Sequence, residues 1–120
     1  MTAVQHKLPV KVIIYNNSAL GLITLEAESA GLIPFREAIE FPNPDFAALA
    51  RACGGRGFTA KTPAELMAAL ADALSIDGPV VVDAVVVANE MPNLPHVDLE
   101  QIGHFAVAKI KEAVLAVTGG

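Results

Sequence analysis

The most constraining stretch is Val10-Lys11-Val12-Ile13-Ile14-Tyr15, an aliphatic run broken only by Lys11, which stops abruptly at Asn16-Asn17-Ser18. It is β-branched, bounded in front by Pro9, and nearly continuous rather than alternating. That pattern predicts a strand buried on both faces, as strands of parallel sheets are. A second run, Val80 to Val87, is interrupted only by Asp83 and Ala84 and reads the same way. In open α/β sheets, ligands sit outside the carboxyl ends of such strands. Asn16, Asn17 and Ser18 fall at that end. Amide oxygens are hard neutral donors suited to Mg²⁺ or Ca²⁺, and turn amides and hydroxyls can hold a phosphate. Asn-Asn-Ser is equally ordinary turn chemistry, because Asn tolerates the left-handed region and forms Asx-turns. The tripeptide alone favours the plain turn.

Helical segments separate the strands. Met1 to Lys7 reads as the end of a helix, broken by Leu8-Pro9. Leu20 to Ala30 predicts a short helix closed by Gly31, with Glu26 and Glu28 facing solvent. Gly21, near its start, allows close backbone approach. Leu32 to Asn43, with Pro34 and Pro42, has no clean period and reads as a loop. Asn43 and Pro44 suit the N-cap and first turn of a helix whose apolar face carries Phe46, Leu49, Ala50 and Cys53. Gly54 and Gly55 end it, and a short strand follows at Gly57 to Ala60. Thr62-Pro63-Ala64-Glu65 is a capping-box helix start ahead of a stripe of Leu66, Met67, Leu70 and Leu74. Asp77-Gly78-Pro79 is a turn. Ala88 to Val97 is a Pro-rich crossing, Asp98 caps a last helix through about Val117, and Gly119-Gly120 fray. Strands alternating with helices predict an α/β fold, an open parallel sheet with helices on both faces.

The composition excludes several functions. The net charge of −5 offers no basic stripe for nucleic acid. Cys53 stands alone, so neither a disulfide framework nor a thiolate metal cluster is expected. No apolar run approaches the roughly 20 residues of a membrane span, and no signal pattern opens the chain, so a cytoplasmic location is the default. The mean hydropathy of +0.50 is high for a free-standing domain of 120 residues. Without a membrane span, it predicts apolar surface covered by a partner or by further chain.

Other candidate sites carry little. Gly54-Gly55-Arg56-Gly57 follows a helix and precedes a strand, the wrong order for a dinucleotide or P-loop fingerprint, and reads as a helix C-cap. His6, His96 and His104 have no i,i+3 or i,i+4 partner for a metal and read as surface or capping residues. Cys53 reads as core rather than nucleophile. Asp83 is open between a functional carboxylate and a hydrogen-bonded structural one. No catalytic constellation can be assembled.

Taken together, three segments resemble the C-terminal thiamine-diphosphate-binding domain of pyruvate oxidases and quinone-linked pyruvate dehydrogenases, which belong with the acetohydroxyacid synthases. Lys7 to Gly21 is similar to the second half of that family's cofactor motif, which opens with Gly-Asp-Gly and closes with Asn-Asn. Asp45 to Gly54 and Ser75 to Asp83 match later segments in the same order. The resemblance implies that the cofactor's diphosphate is held through Mg²⁺, with the side chain of Asn17 and the main-chain oxygen of Ala19 as ligands. It implies further that Ser18, Gly21 and Leu22 lie against the cofactor, and it changes the balance at Asn17 from plain turn to metal ligand. No Gly-Asp-Gly occurs in this sequence, and only fifteen residues precede Asn16. Residues 1–120 are therefore expected to be a partial, N-terminally truncated thiamine-diphosphate-binding domain. Neither the activating glutamate nor the flavin domain of the parent enzymes is expected here, so FAD is not expected to bind. The 32–42 segment departs from the nearest relatives, which leaves the substrate open. No residue is expected to be catalytic, and the chain alone is expected to be inactive. Amide and carbonyl oxygens without an anionic ligand hold Mg²⁺ poorly, so weak or no cofactor binding is expected. A homo-oligomer or pairing with missing enzyme halves is expected. The alternative is a non-catalytic assembly module joining a second copy or a separately encoded half. A generic nucleotide-binding domain is disfavoured by the lack of a Gly-rich strand–helix turn.

Overall fold

The computed structural model describes residues 1–87 and 99–118, and the chain falls into two compact units. The first comprises Met1–Ser18 and Pro42–Val87, the second Ala19–Phe41 and Ala88–Gly120. The Pro-rich crossing, the Asp98 cap and the terminal glycines lie outside the described residues.

The first unit is a three-stranded parallel sheet. Its strands are β1 (Lys11–Asn16), β2 (Arg56–Ala60) and β3 (Val80–Val85), in the order β1-β3-β2. Lys11 pairs with Val80 and Asn16 with Val85 on one side of β3, and Arg56 pairs with Val80 and Ala60 with Ala84 on the other. The register gives the sheet two faces. Val80, Val82 and Phe58 point to one, where α5 (Pro63–Ser75) packs through Ala69 and Ala73, with Leu66, Leu70 and Ile76 around them. Gly57, Val81 and Val12 point to the other, where α4 (Phe46–Ala52) lies. A Cβ on Gly57 would run into the Ala47 backbone, so only glycine lets α4 sit this close to β2. Helices therefore cover both faces, as the alternating pattern predicts. A short α1 (Thr2–Gln5) precedes β1.

Three local expectations need correcting. β1 is an edge strand, and Val12, Ile13 and Tyr15 are exposed rather than buried on both faces; an aliphatic run marks a strand but not its place in the sheet. The N-cap of α4 is Asp45, which accepts a 2.7 Å hydrogen bond from the Ala48 amide; Asn43, two residues earlier, is used elsewhere. In α5 the capping box of Thr62 and Glu65 forms as expected, but Met67 and Leu74 are exposed. The small Ala69 and Ala73 make the buried line against Val80 and Val82, with Leu66 and Leu70 beside it.

The second unit comprises α2 (Gly21–Ser29), α3 (Arg36–Ile39) and α6 (Leu99–Thr118). The predicted 20–30 helix is α2, and Gly31 closes it at φ +71° with amide bonds from Gly31 to Glu28 O and from Leu32 to Ala27 O, a Schellman end. The expected loop contains α3. Glu28 is buried, against expectation, because Lys109 on α6 reaches it at 2.6 Å. Lys109 also meets Glu112 at 3.2 Å, and Arg36 bridges Glu112 at 2.9 Å and pairs with Glu40. Hydrogen bonds to Glu40 and Glu112 raise the Arg36 guanidinium further above its ordinary value. Partial burial works against charge on Lys109, but its bonds to Glu28 and Glu112 outweigh this and hold it above the usual lysine range. Burial likewise pushes Glu112 up, and Lys109 and Arg36 together hold it below the usual carboxylate range. This charged network could not be read from the sequence, because its partners lie 76 and 81 positions apart.

Candidate functional site

Because all three strands run parallel, their carboxyl ends share one rim of the sheet, and Asn16 is the last residue of β1 on that rim. Asn16 and Asp83 lie on the same face, two positions apart in register, since Asn16 pairs with Val85 and Ile14 with Asp83. The Asn16 amide donates from Nδ2 to Asp83 Oδ1 at 2.9 Å. Its carbonyl Oδ1 accepts from Asn43 Nδ2 at 2.6 Å and from the Ser18 amide at 3.1 Å. The second contact is an Asx-turn, and it accompanies a left-handed Ser18 at φ +54°, a region costly for a residue with a Cβ. Asp83 is 4% exposed, at the inner end of this chain of contacts.

The plain-turn reading of the tripeptide is realised at Asn16. Asn16 makes the turn and is engaged on both sides of its amide. Asn17 is the next residue, half-buried, directly after the last residue of β1 at the carboxyl rim of the sheet. Asn17 and Ser18 close the first unit, while Ala19, Gly21 and Leu22 open the second. In that second unit Ala19 forms an antiparallel bridge with Glu40, and Leu20 donates to Ile39 O at 2.9 Å. Gly21 is the first residue of α2, and Leu22 is exposed.

The donor chemistry suits a hard cation bearing phosphate oxygens: an amide oxygen, a hydroxyl and main-chain carbonyls, with no soft ligand among them. Among the described residues, no group of three or more His, Cys, Asp or Glu side chains could hold a metal ion. Asp83 and Asn43 went unrecognised as members of the cluster. The signal for Asp83 was present in the sequence: it is the one charged residue of the second strand, and aligning the two strand ends puts it beside Asn16.

Other candidates resolve blandly. Gly54 (φ +85°) and Gly55 donate to Arg51 O and Ala50 O and close α4, so the Gly-rich stretch is a helix end. Cys53 lines an apolar cavity of about 280 Å³ with Val10, Val12, Phe46, Leu49 and Val81. His104 contacts Ser29 O at 3.2 Å, His6 is exposed, and His96 lies outside the described residues. Among the described residues no helix is long and apolar enough to cross a membrane.

A parallel sheet flanked by helices, with an amide-rich turn at its carboxyl rim, makes this an α/β domain of the kind that places ligands at that rim. Within that class the chain belongs to the thiamine pyrophosphate enzyme, C-terminal TPP binding domain family, whose model matches residues 1–84. Thiamine pyrophosphate is thiamine diphosphate, the cofactor implied by the family. The chain is 43% identical over 91 residues to a Bacillus subtilis protein, YdaP, named as thiamine pyrophosphate-containing, covering 76% of this chain and 15% of that protein. It is 38% identical over 96 residues to the mitochondrial acetolactate synthase catalytic subunit of Saccharomyces cerevisiae, covering 80% of this chain and 14% of that one. The acetolactate synthase large subunit of Porphyra purpurea is 32% identical over 90 residues, with 74% and 15% covered. The chain thus spans about one seventh of the length of these relatives.

Proposed function

We propose that this chain supplies part of the diphosphate–Mg²⁺ site of a thiamine-diphosphate-dependent enzyme that decarboxylates 2-oxo acids, of the pyruvate oxidase or pyruvate dehydrogenase kind. In this reading Asn17 gives a side-chain oxygen and Ala19 a main-chain oxygen to the cation. Ser18, Gly21 and Leu22 lie against the cofactor. The reading is supported by the family match over residues 1–84 and by the place of Asn17 at the carboxyl rim of the sheet, directly after the last residue of β1. The chain holds no catalytic residue of its own and acts in the cytoplasm as one part of a larger thiamine-diphosphate-binding domain. A complete site needs the Gly-Asp-Gly aspartate, which does not occur in these 120 residues. Without that anion the amide and carbonyl donors hold Mg²⁺ weakly.

The test uses Mn²⁺ in place of Mg²⁺, with thiamine diphosphate, on the isotopically labelled chain. Paramagnetic broadening centred on Asn17 at millimolar cofactor is the expected result. Broadening elsewhere, or none, contradicts the site. Micromolar affinity by calorimetry, or turnover of pyruvate by the pure chain, contradicts the claim of a weak and incomplete site.

A second reading, an assembly module, is favoured by the exposed aliphatic edge of β1. Unpaired strand edges invite a further strand, so a second copy or a separately encoded half would seat there. Light scattering that shows a monomer which binds no hydrophobic dye speaks against this.

A further inference from the structure

We infer that Asp83 is a positioning residue for the cofactor turn: as the hydrogen-bond acceptor, it dictates which way the Asn16 amide faces and so sets the backbone that carries Asn17. The inference rests on the function proposed above for Asn17, but its structural half stands alone.

A carboxylate in the central strand is costly to bury, and Asp83 is 4% exposed between Val82 and Ala84, both buried. Its bond is to Asn16 Nδ2 at 2.9 Å. In that contact the Asp83 oxygen is the acceptor and the Asn16 NH₂ the donor. The Asn16 amide must therefore turn its NH₂ toward Asp83, which turns Oδ1 toward two donors, the Ser18 amide and Asn43 Nδ2. If Asn16 were flipped, its NH₂ would face the Ser18 N–H and its oxygen would face the carboxylate, losing both of those bonds at once, while Asn43, itself an amide, could turn to follow. Ser18 holds its left-handed φ of +54° while bonded to that oxygen. The acid thus encodes, through one amide, the conformation of the residue after Asn17. An apolar residue would pack in β3 at less cost, but it would leave Asn16 free to rotate. An asparagine at position 83 would satisfy either orientation of Asn16 and encode neither.

The test compares the chain with Asp83→Asn, Asn16→Ala and the double variant, reading the hydrogen-exchange protection of the Ser18 amide against that of the Val82 amide. Asp83→Asn is expected to lower Ser18 protection roughly tenfold, about one hydrogen bond's worth, with Val82 protection little changed. The double variant is expected to lose no more at Ser18 than Asn16→Ala alone. If Ser18 and Val82 lose protection in proportion, or if Ser18 keeps its protection in Asp83→Asn, Asp83 is only a fold residue and the inference fails. Should Asp83→Asn not fold, the parent chain still decides: an Asn16 side-chain NH₂ and a Ser18 amide exchanging at unstructured rates overturn it. The Mn²⁺ experiment gives the separate readout. Absence of broadening at Asn17 in the parent chain refutes the cofactor role and leaves the exchange result to judge Asp83. Broadening in the parent that persists undiminished in Asp83→Asn refutes the positioning role.

Discussion

β1 and β3 are nearly interchangeable as sequences and very different as structure. Each is an aliphatic run with one or two polar residues, and the two pair along their whole length. Val80 and Val82 are 1% exposed, whereas Val12 is 44% and Tyr15 75% exposed. The difference is their place in the sheet. β3 has a strand on each side, with α5 against one face and α4 on the other, while among the described residues β1 has a strand, β3, on one side only. Hydrophobic sequence therefore states what a strand can tolerate, and topology decides what it receives. The polar residues divide in the same way. Lys11 on the edge strand reaches across to Ile76 O and Gly78 O at 2.7 and 2.6 Å, while Asp83 in the centre is matched by Asn16.

The comparison can be broken first at the close approach of α4 to β2. Gly57→Ala would drive its Cβ into the Ala47 backbone, so it should cost several kcal/mol, on the order of ~3 or more, and chemical denaturation should find the first unit unfolded or nearly so. Next, equal truncations should have unequal effects. Val82→Ala should cost about 2–3 kcal/mol, since it opens a void in the centre of the core, whereas Ile13→Ala on the edge should cost under ~1 kcal/mol. Equal losses would mean that β1 is buried in solution, as a paired edge in an oligomer would make it. Thr62→Ala should cost about 1 kcal/mol in the same assay by removing the capping box of α5.

The smallest effect lies in the second unit and depends on pH. Glu112 is held below its ordinary value of 4.5, so its contribution is present above that pH and disappears as pH falls through the lowered folded value. Lys109 is held above its ordinary 10.5, so its contribution is present below that pH and fades only in more alkaline solution. Acidification from pH 6 to 3 should lower the melting temperature of the parent chain more than that of Glu112→Gln. The side chains are partly solvated, which keeps the difference small. An equal drop in both would remove Glu112 from the account.

Much of this was legible because it is local. The strands, the capping box at Thr62, the glycine ends at Gly31 and Gly54 and the rim position of Asn17 all follow from residues a few positions apart. What escaped is non-local or competitive. The Asn43 and Asp45 side chains are both capable caps, and Asn43 is drawn instead to Asn16, 27 positions away. Glu28 reads as a solvent residue until α6 brings Lys109 to it. The spacing of Met67 and Leu74 predicts their burial, yet Ala69 and Ala73 make the buried line of α5 and both larger side chains are exposed. The α3 turn inside the Pro-containing segment had no periodic signal.

The measurement that bears most directly on the rim turn as a cofactor site is the pattern of Mn²⁺-induced line broadening in the presence of thiamine diphosphate. The account predicts that the Asn17 side-chain amide and the neighbouring Ser18 and Ala19 signals broaden first, with the far ends of the strands, near Lys11 and Arg56, unaffected. Broadening that begins at those far ends, or that is spread evenly over the acidic surface, would contradict it.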